Sequence, residues 1–238
     1  MLGFSSRAGL AALFLAALAA CELPPAETAG RFDRKVTLFN PAESIQQGWI
    51  EMPLVGLTEY RLSSLNERLS IRAVGKRSAS GLVLPVEFDP NDCPVIEWSW
   101  RLEAIQESAS LTEKDREDVA ASLYVMFGDP VSFSAPRKVP TLRYVWTNSR
   151  QQIEDIVDSP YLPGVVRSII IETGIVSTAT WVDEKRDLLA DYQAAFGGKP
   201  KDSVYAVAIF TDNDQTGEPV EAHYGAANLF CRGTANPS

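Results

Sequence analysis

The stretch TDNDQTGEPVEAHYG, Thr211 to Gly225, gathers hard oxygen donors at a spacing that could hold a cation. Asp212, Asp214, Thr216 and Gly217 stand where positions one, three, five and six of a helical calcium loop would be, with alternate oxygens converging on the ion and glycine allowing the sharp turn. The twelfth position is His223, where that loop needs a bidentate Glu, and the flanks read as strands. A Ca2+ site on Asp212, Asp214 and Thr216 would therefore draw on other partners. The competing reading is a polar turn whose Asp and Asn side chains bond their own backbone.

His223 is the sole histidine. Zinc held by clustered imidazoles is excluded, and a Ser-His-Asp triad would have to run through this one ring. No Gly-x-Ser-x-Gly elbow and no phosphate-cradling glycine loop accompanies it. Trp98, Trp100, Tyr144, Trp146 and Trp181 could stack on sugar rings, with carboxylates and arginines bonding the hydroxyls, or could fill a core. Arg186, Asp187 and Asp191 could meet Asp118, Arg143 or Asp212 at one end of the domain. The ligand-binding candidates are therefore Asp118, Tyr144, Trp146, Trp181, Arg186 and Asp191. A hydrolase would need two carboxylates across a cleft, drawn from Asp118, Asp191, Asp212 and Asp214.

Short β-rich runs between turn signals must position these residues. In PVIEWSWRL, Ile96, Trp98, Trp100 and Leu102 share one face and Glu97, Ser99 and Arg101 the other, the period of a half-buried strand. About eleven such runs at close spacing predict a mainly β chain, an antiparallel two-sheet β-sandwich of jelly-roll, galactose-binding-like type, with one or two short helices. DEKRDLLADYQAAFGG predicts a helix capped by Asp183, with Leu188, Tyr192, Ala195 and Phe196 on one face and Gly197-Gly198 ending it. LTEKDREDVA predicts a second, weaker helical piece.

Residues 1–20 read as an export signal: Arg7, then an uncharged run from Ala8 to Ala20, too short to span a bilayer. Leu18-Ala19-Ala20-Cys21 resembles the lipobox of bacterial lipoproteins, which implies cleavage before Cys21 and its acylation; Glu22 resembles the pattern of lipoproteins sent to the outer membrane. The expected organisation is signal 1–20, tether 21–34, one β-sandwich domain 35–233 and tail 234–238. Cys93 and Cys231 remain, either bridged or as two free thiols. The chain has 22 basic and 31 acidic residues, so loss of Arg7 leaves 21 − 31 = −10. A negative field with no basic stripe makes nucleic acid a poor partner.

The segments SASGLV, EWSWRL, EDVAASLYVMF, LRYVWT, WVDEKRDLLADYQAAFG, VAIFTDNDQTG and AHYG, in this order, resemble the bacterial domain of unknown function, family 3047, from roughly Phe39 to Phe230. This chain departs from the family pattern at Ser122, where an Arg is usual, at Gln215, where an Asn is usual, and at Ala226, where an Asp follows Tyr-Gly. The resemblance implies no reaction. The expectation is an exported, lipid-anchored protein facing the periplasm from the outer membrane, whose sandwich binds a ligand, with a glycan or envelope polymer as partner. The alternatives are a carbohydrate-active hydrolase and a structural envelope lipoprotein.

Overall fold

The computed structural model describes residues 32–43, 48–128, 138–148, 152–174 and 180–233. Cys21, the signal segment, nearly all of the tether and the tail lie outside the described residues. Among those described, the strands in chain order are β1 (Arg34–Phe39), β2 (Ile50–Val55), β3 (Glu59–Leu65), β4 (Arg68–Val74), β5 (Ala79–Phe88), β6 (Val95–Ala104) and β7 (Ala121–Phe127). They continue with β8 (Thr141–Thr147), β9 (Ile156–Asp158), β10 (Val166–Thr173), β11 (Val182–Asp187), β12 (Val204–Asp212) and β13 (Glu221–Cys231). One α-helix, α1 (Leu188–Phe196), follows β11 without a break.

The strands form two sheets. The first runs β11-β6-β13-β4-β3, with β1 beside the second half of β13; the second runs β2-β5-β12-β7-β8-β10-β9. The expected mainly β, two-sheet sandwich is what the chain forms. The pair β8 and β10 is parallel, because β9 intervenes at the sheet margin and returns the chain in the same direction.

Alternation decides which residues fill the space between the sheets. Ile96, Trp98, Trp100 and Leu102 of β6 are all buried, facing Tyr144 and Trp146 of β8. Trp98 and Tyr144 lie 5.1 Å apart between ring centres, Trp100 and Trp146 5.8 Å. These pairs join sheet to sheet, since large aromatics bury the most area per residue. Tyr224 ties the layers as well, its hydroxyl donating to Phe210 O at 2.7 Å. Cys93 and Cys231 are joined by a disulfide closing a sequence separation of 138 residues. By the loop-entropy relation such a link is worth about 5 kcal/mol.

Two local expectations are corrected. The N-cap of α1 is Asp187 rather than Asp183: Asp187 Oδ1 accepts from Leu189 N at 2.9 Å and Ala190 N at 3.1 Å. Asp183 sits inside β11, because Val182, Glu184 and Arg186 pair in register with Trp100, Trp98 and Ile96. Gly197 ends the helix at φ 72°, its N–H donating to Gln193 O, a conformation that favours glycine. The second helical piece is a single three-residue 3-10 turn, Lys114–Arg116. Beyond it the chain forms no further helix before β7, because the Glu117 and Asp118 side chains are bonded to Arg143 and to the loop after β12.

Candidate functional site

The loop after β12 brings three carboxylates together. Asp118 precedes β7, Asp212 ends β12 and Asp214 follows it; one oxygen from each lies within 4.8 Å of the others. Backbone amides fix two of them: Val119 N–H donates to Asp212 Oδ1 at 2.7 Å, while Gln215 and Thr216 N–H donate to the Asp118 oxygens at 3.2 and 2.7 Å. Asp118 and Asp212 are buried. Asp214 Oδ1 is closed off from solvent and bonded to nothing among the described residues.

Burial, with the charges of Asp118 and Glu117 beside it, holds the Asp212 carboxyl well above the usual carboxylate range. Burial first and Asp118 second push Asp214 up. Glu117 is adjacent but committed to a buried pair with Arg143. An all-oxygen set of this kind fits a hard cation, which would take over the task of the missing protons. Thr216 contributes its backbone N–H to Asp118, while its hydroxyl accepts from Glu218 N at 3.2 Å within the same turn.

A second polar cluster lies elsewhere. Arg186 donates to Asp191 through Nε at 3.0 Å and Nη2 at 2.6 Å, and to Glu154 at 2.7 and 3.0 Å. Tyr144 donates its hydroxyl to Asp191 Oδ2 at 2.8 Å, and burial together with Asp191 holds that phenol well above its ordinary value. The expectation that Arg186, Asp187 and Asp191 meet Asp118, Arg143 or Asp212 is therefore corrected. Phe127, whose ring is 4.7 Å from Tyr192 of α1, pairs with Val204 at the start of the nine-residue strand β12, whereas Asp212 ends it. The Asp191 cluster thus draws on α1, on β11 of the first sheet and on the middle of β8, where Tyr144 stands opposite Leu123, while the acid cluster gathers at the end of β12.

Of the aromatic candidates, Tyr144 and Trp146 are core side chains; Trp146 Nε1 donates to Gly174 O at 2.6 Å. Trp181 is only half-buried. Arg68 lies over its ring at 5.0 Å, His223 stands edge-on at 6.3 Å, and its Nε1 is buried without a partner among the described residues. Beside it, a groove of about 680 Å³ crosses the outer face of the first sheet. Arg68, Asp183, Glu97, Lys185, Asn228 and Glu184 are among its walls. Gly225 shapes the floor at a break in register between Tyr224 and Ala227: a Cβ there would meet Ser99 Oγ at 2.1 Å.

Two arrangements were not legible beforehand. Glu184 accepts from Trp100 Nε1 at 3.0 Å, and burial, with Glu172 nearby, pushes its carboxyl up to about 7. The signal was present in Val182-Asp183-Glu184-Lys185-Arg186, whose alternation puts Glu184 on the inward side. His223 is buried between Ser70 Oγ, 3.0 Å from Nδ1, and Glu221, 3.4 Å from Nε2. Ser70 is fully buried, so this row is closed to substrate and ties β4 to β13.

No curated protein sequence matches this chain. Among solved structures, it is similar to the CBM22-1 xylan-binding domain from Paenibacillus barcinonensis Xyn10C, at 11% identity over 85% of this chain and 99% of that one, TM-score 0.38. It is also similar to endoglucanase cel12A from Rhodothermus marinus, at 11% identity over 82% and 97%, TM-score 0.43. The glycoside hydrolase domain of Endo-D from Streptococcus pneumoniae R6 matches at 9% identity over 80% of this chain, TM-score 0.39. The chain spans 22% of that Endo-D chain, and 19% of the bacteriophage CBA120 tailspike protein 4 chain that it also resembles. A family model covers most of the sandwich: matched over residues 47–228, the chain belongs to the family described as Protein of unknown function, DUF3047.

Proposed function

We propose that this chain is an exported, lipid-anchored envelope protein, held through acylated Cys21 at the periplasmic face of the outer membrane, whose sandwich binds a glycan. The observation that carries the binding reading is the groove across the outer face of the first sheet. Its walls offer both charges and an amide: Arg68 with Asp183 at 3.2 Å, Lys185 with Glu97 at 2.8 Å, and Asn228. Paired donors and acceptors of this kind match the hydroxyls of a sugar, and the Trp181 indole at the rim supplies a ring face or edge. The test is a thermal-shift and titration series on the full chain with envelope glycans, beside Trp181→Ala. Binding lost at least tenfold in the variant supports the reading; no shift with any glycan leaves the structural lipoprotein.

We also propose a divalent cation, Ca2+ first, on Asp118, Asp212 and Asp214. The support is the crowding of three carboxylates and the unbonded Asp214 Oδ1. Calcium should raise the melting temperature of the chain, and a chelator should reverse that.

A further inference from the structure

The flank of the sandwich where β2 and β3 form the two sheet edges is the most apolar part of the exposed surface described. Leu54 is 66% exposed, Leu57 56%, Leu62 51% and Val55 48%, with Ile50 around the corner. The residues converge because Gly56, Leu57 and Thr58 carry the chain from one sheet edge to the other, and Thr58 is pinned by Ser80 Oγ at 2.8 Å and Ser78 Oγ at 3.0 Å. Aliphatic side chains gathered at this exposure mark a contact surface.

We infer that this flank rests on the bilayer to which Cys21 tethers the domain; the inference rests on the lipid-anchor reading. Two observations favour lipid over a second copy or an added strand. Both edges are blunted against strand pairing, β2 by Glu51 and Pro53 and β3 by the exposed Arg61. The corner next to Leu57 also gathers Arg61 and Lys76 on the single carboxylate of Glu59, a local cationic excess in an acidic chain. Cations beside aliphatic side chains suit the headgroup region of an anionic membrane.

Reach is no obstacle. Phe32 follows Cys21 by eleven positions, so the linker spans at most about 40 Å whatever its conformation. A domain held that close meets the surface at an effective concentration in the millimolar range, and even a weak apolar contact is then populated. The acyl chains anchor; the flank sets which side of the domain faces lipid and which faces the periplasm. With the β2–β3 flank down, the groove on the first sheet opens sideways, clear of the bilayer.

The test places an indole on each flank of the full acylated chain: Leu57→Trp on this one and Ile153→Trp on the opposite one, where residue 153 is 52% exposed. The chains are reconstituted into phosphatidylethanolamine–phosphatidylglycerol vesicles carrying brominated lipid, and fluorescence is read as the difference from the parent chain. The expected result is at least twofold quenching of the Leu57→Trp signal by the brominated lipid and little by aqueous iodide, with the reverse for Ile153→Trp. Equal iodide quenching of both, with none by bromine, overturns the inference, as does protection of the Leu57→Trp indole that depends on protein concentration, which would mean a second copy. The mass of the Cys21 peptide reads the anchor separately. Acylated Cys21 with an iodide-exposed indole sinks the docking alone; unmodified Cys21 with a bromine-quenched indole sinks the anchor alone.

Discussion

Two buried polar clusters differ in one respect that separates scaffold from site. Around Asp191 the buried charges cancel: a bidentate Arg186 and the Tyr144 hydroxyl account for both carboxylate oxygens, and the exposed Glu154 takes the rest of the guanidinium. Around Asp212 they do not. Three carboxylates crowd together, Arg143 is committed to Glu117, and only neutral donors, backbone amides and the Gln215 side-chain amide, are bonded to them. Buried charge costs little when paired and much when it meets its own sign. The first cluster is complete as it stands; the second is completed by protons or by a cation.

The largest effect expected from this difference is at Arg186. Its side chain is 18% exposed and that of Asp191 10%, so Arg186→Ala strands a carboxylate with no cation beside it. Stability should fall by about 3–5 kcal/mol, read from urea unfolding at neutral pH. A loss below about 1 kcal/mol would mean that the pair is not holding α1 to the sandwich, and the contrast between the two clusters would disappear.

At the acid cluster the sign reverses. Asp212 and Asp214 have folded-state values above the ordinary 3.8, so the native state keeps protons that the unfolded chain releases. Their contribution to stability is complete below the unfolded value and is lost as pH rises through the folded ones. Asp214→Asn should therefore stabilise the metal-free chain at neutral pH, by roughly 1–2 kcal/mol, and should abolish any calcium-induced shift. In the parent chain, calcium should flatten the fall in melting temperature as pH rises above the ordinary carboxylate value of 3.8. Destabilisation by Asp214→Asn without calcium would show that the carboxylate is already satisfied.

The architecture was legible in the sequence because its signal is local. Ile96, Trp98, Trp100 and Leu102 alternate whatever lies opposite, and the inward set is fixed by period alone. The clusters were not, because they depend on register between distant strands. Asp118 joins Asp212 and Asp214 across a separation of more than ninety residues, through β7 pairing with β12. Asp183 was assigned to the helix because charged residues disguise β11: Glu184 and Arg186 occupy inward positions where a strand usually carries aliphatics. The aromatic spacing showed which rings share a face, and the facing sheet determined that Tyr144 and Trp146 have no free side.

Glu184 tests the contrast at a half-buried carboxyl between the two extremes. Pushed up to about 7, it holds a proton in the folded state that the unfolded chain loses near 4.5, so its contribution is complete below 4.5 and lost as pH rises through 7. Glu184→Gln keeps an acceptor for Trp100 Nε1 and removes the titration. The variant should match the parent at pH 4 and exceed it by about 1 kcal/mol at pH 8, after allowing for partial solvation. No gain at pH 8 would place a compensating cation beside it.

The smallest effect belongs to a pair that is balanced like Arg186 and Asp191 but lies in water. Lys185 meets Glu97 at 2.8 Å with 62% and 31% of the two side chains exposed. Coulomb attraction there is screened, and ordering two long side chains costs entropy, so such a pair contributes at most about 0.5 kcal/mol. Lys185→Met should leave the urea midpoint almost unchanged, whereas the buried pair loses several-fold more on the same change of charge. Because Lys185 also lines the groove, the same variant should weaken glycan binding several-fold if the groove is the site. A stability loss above 1 kcal/mol would mean that the groove wall is part of the scaffold, and a glycan affinity untouched by Lys185→Met would move the binding surface off the first sheet.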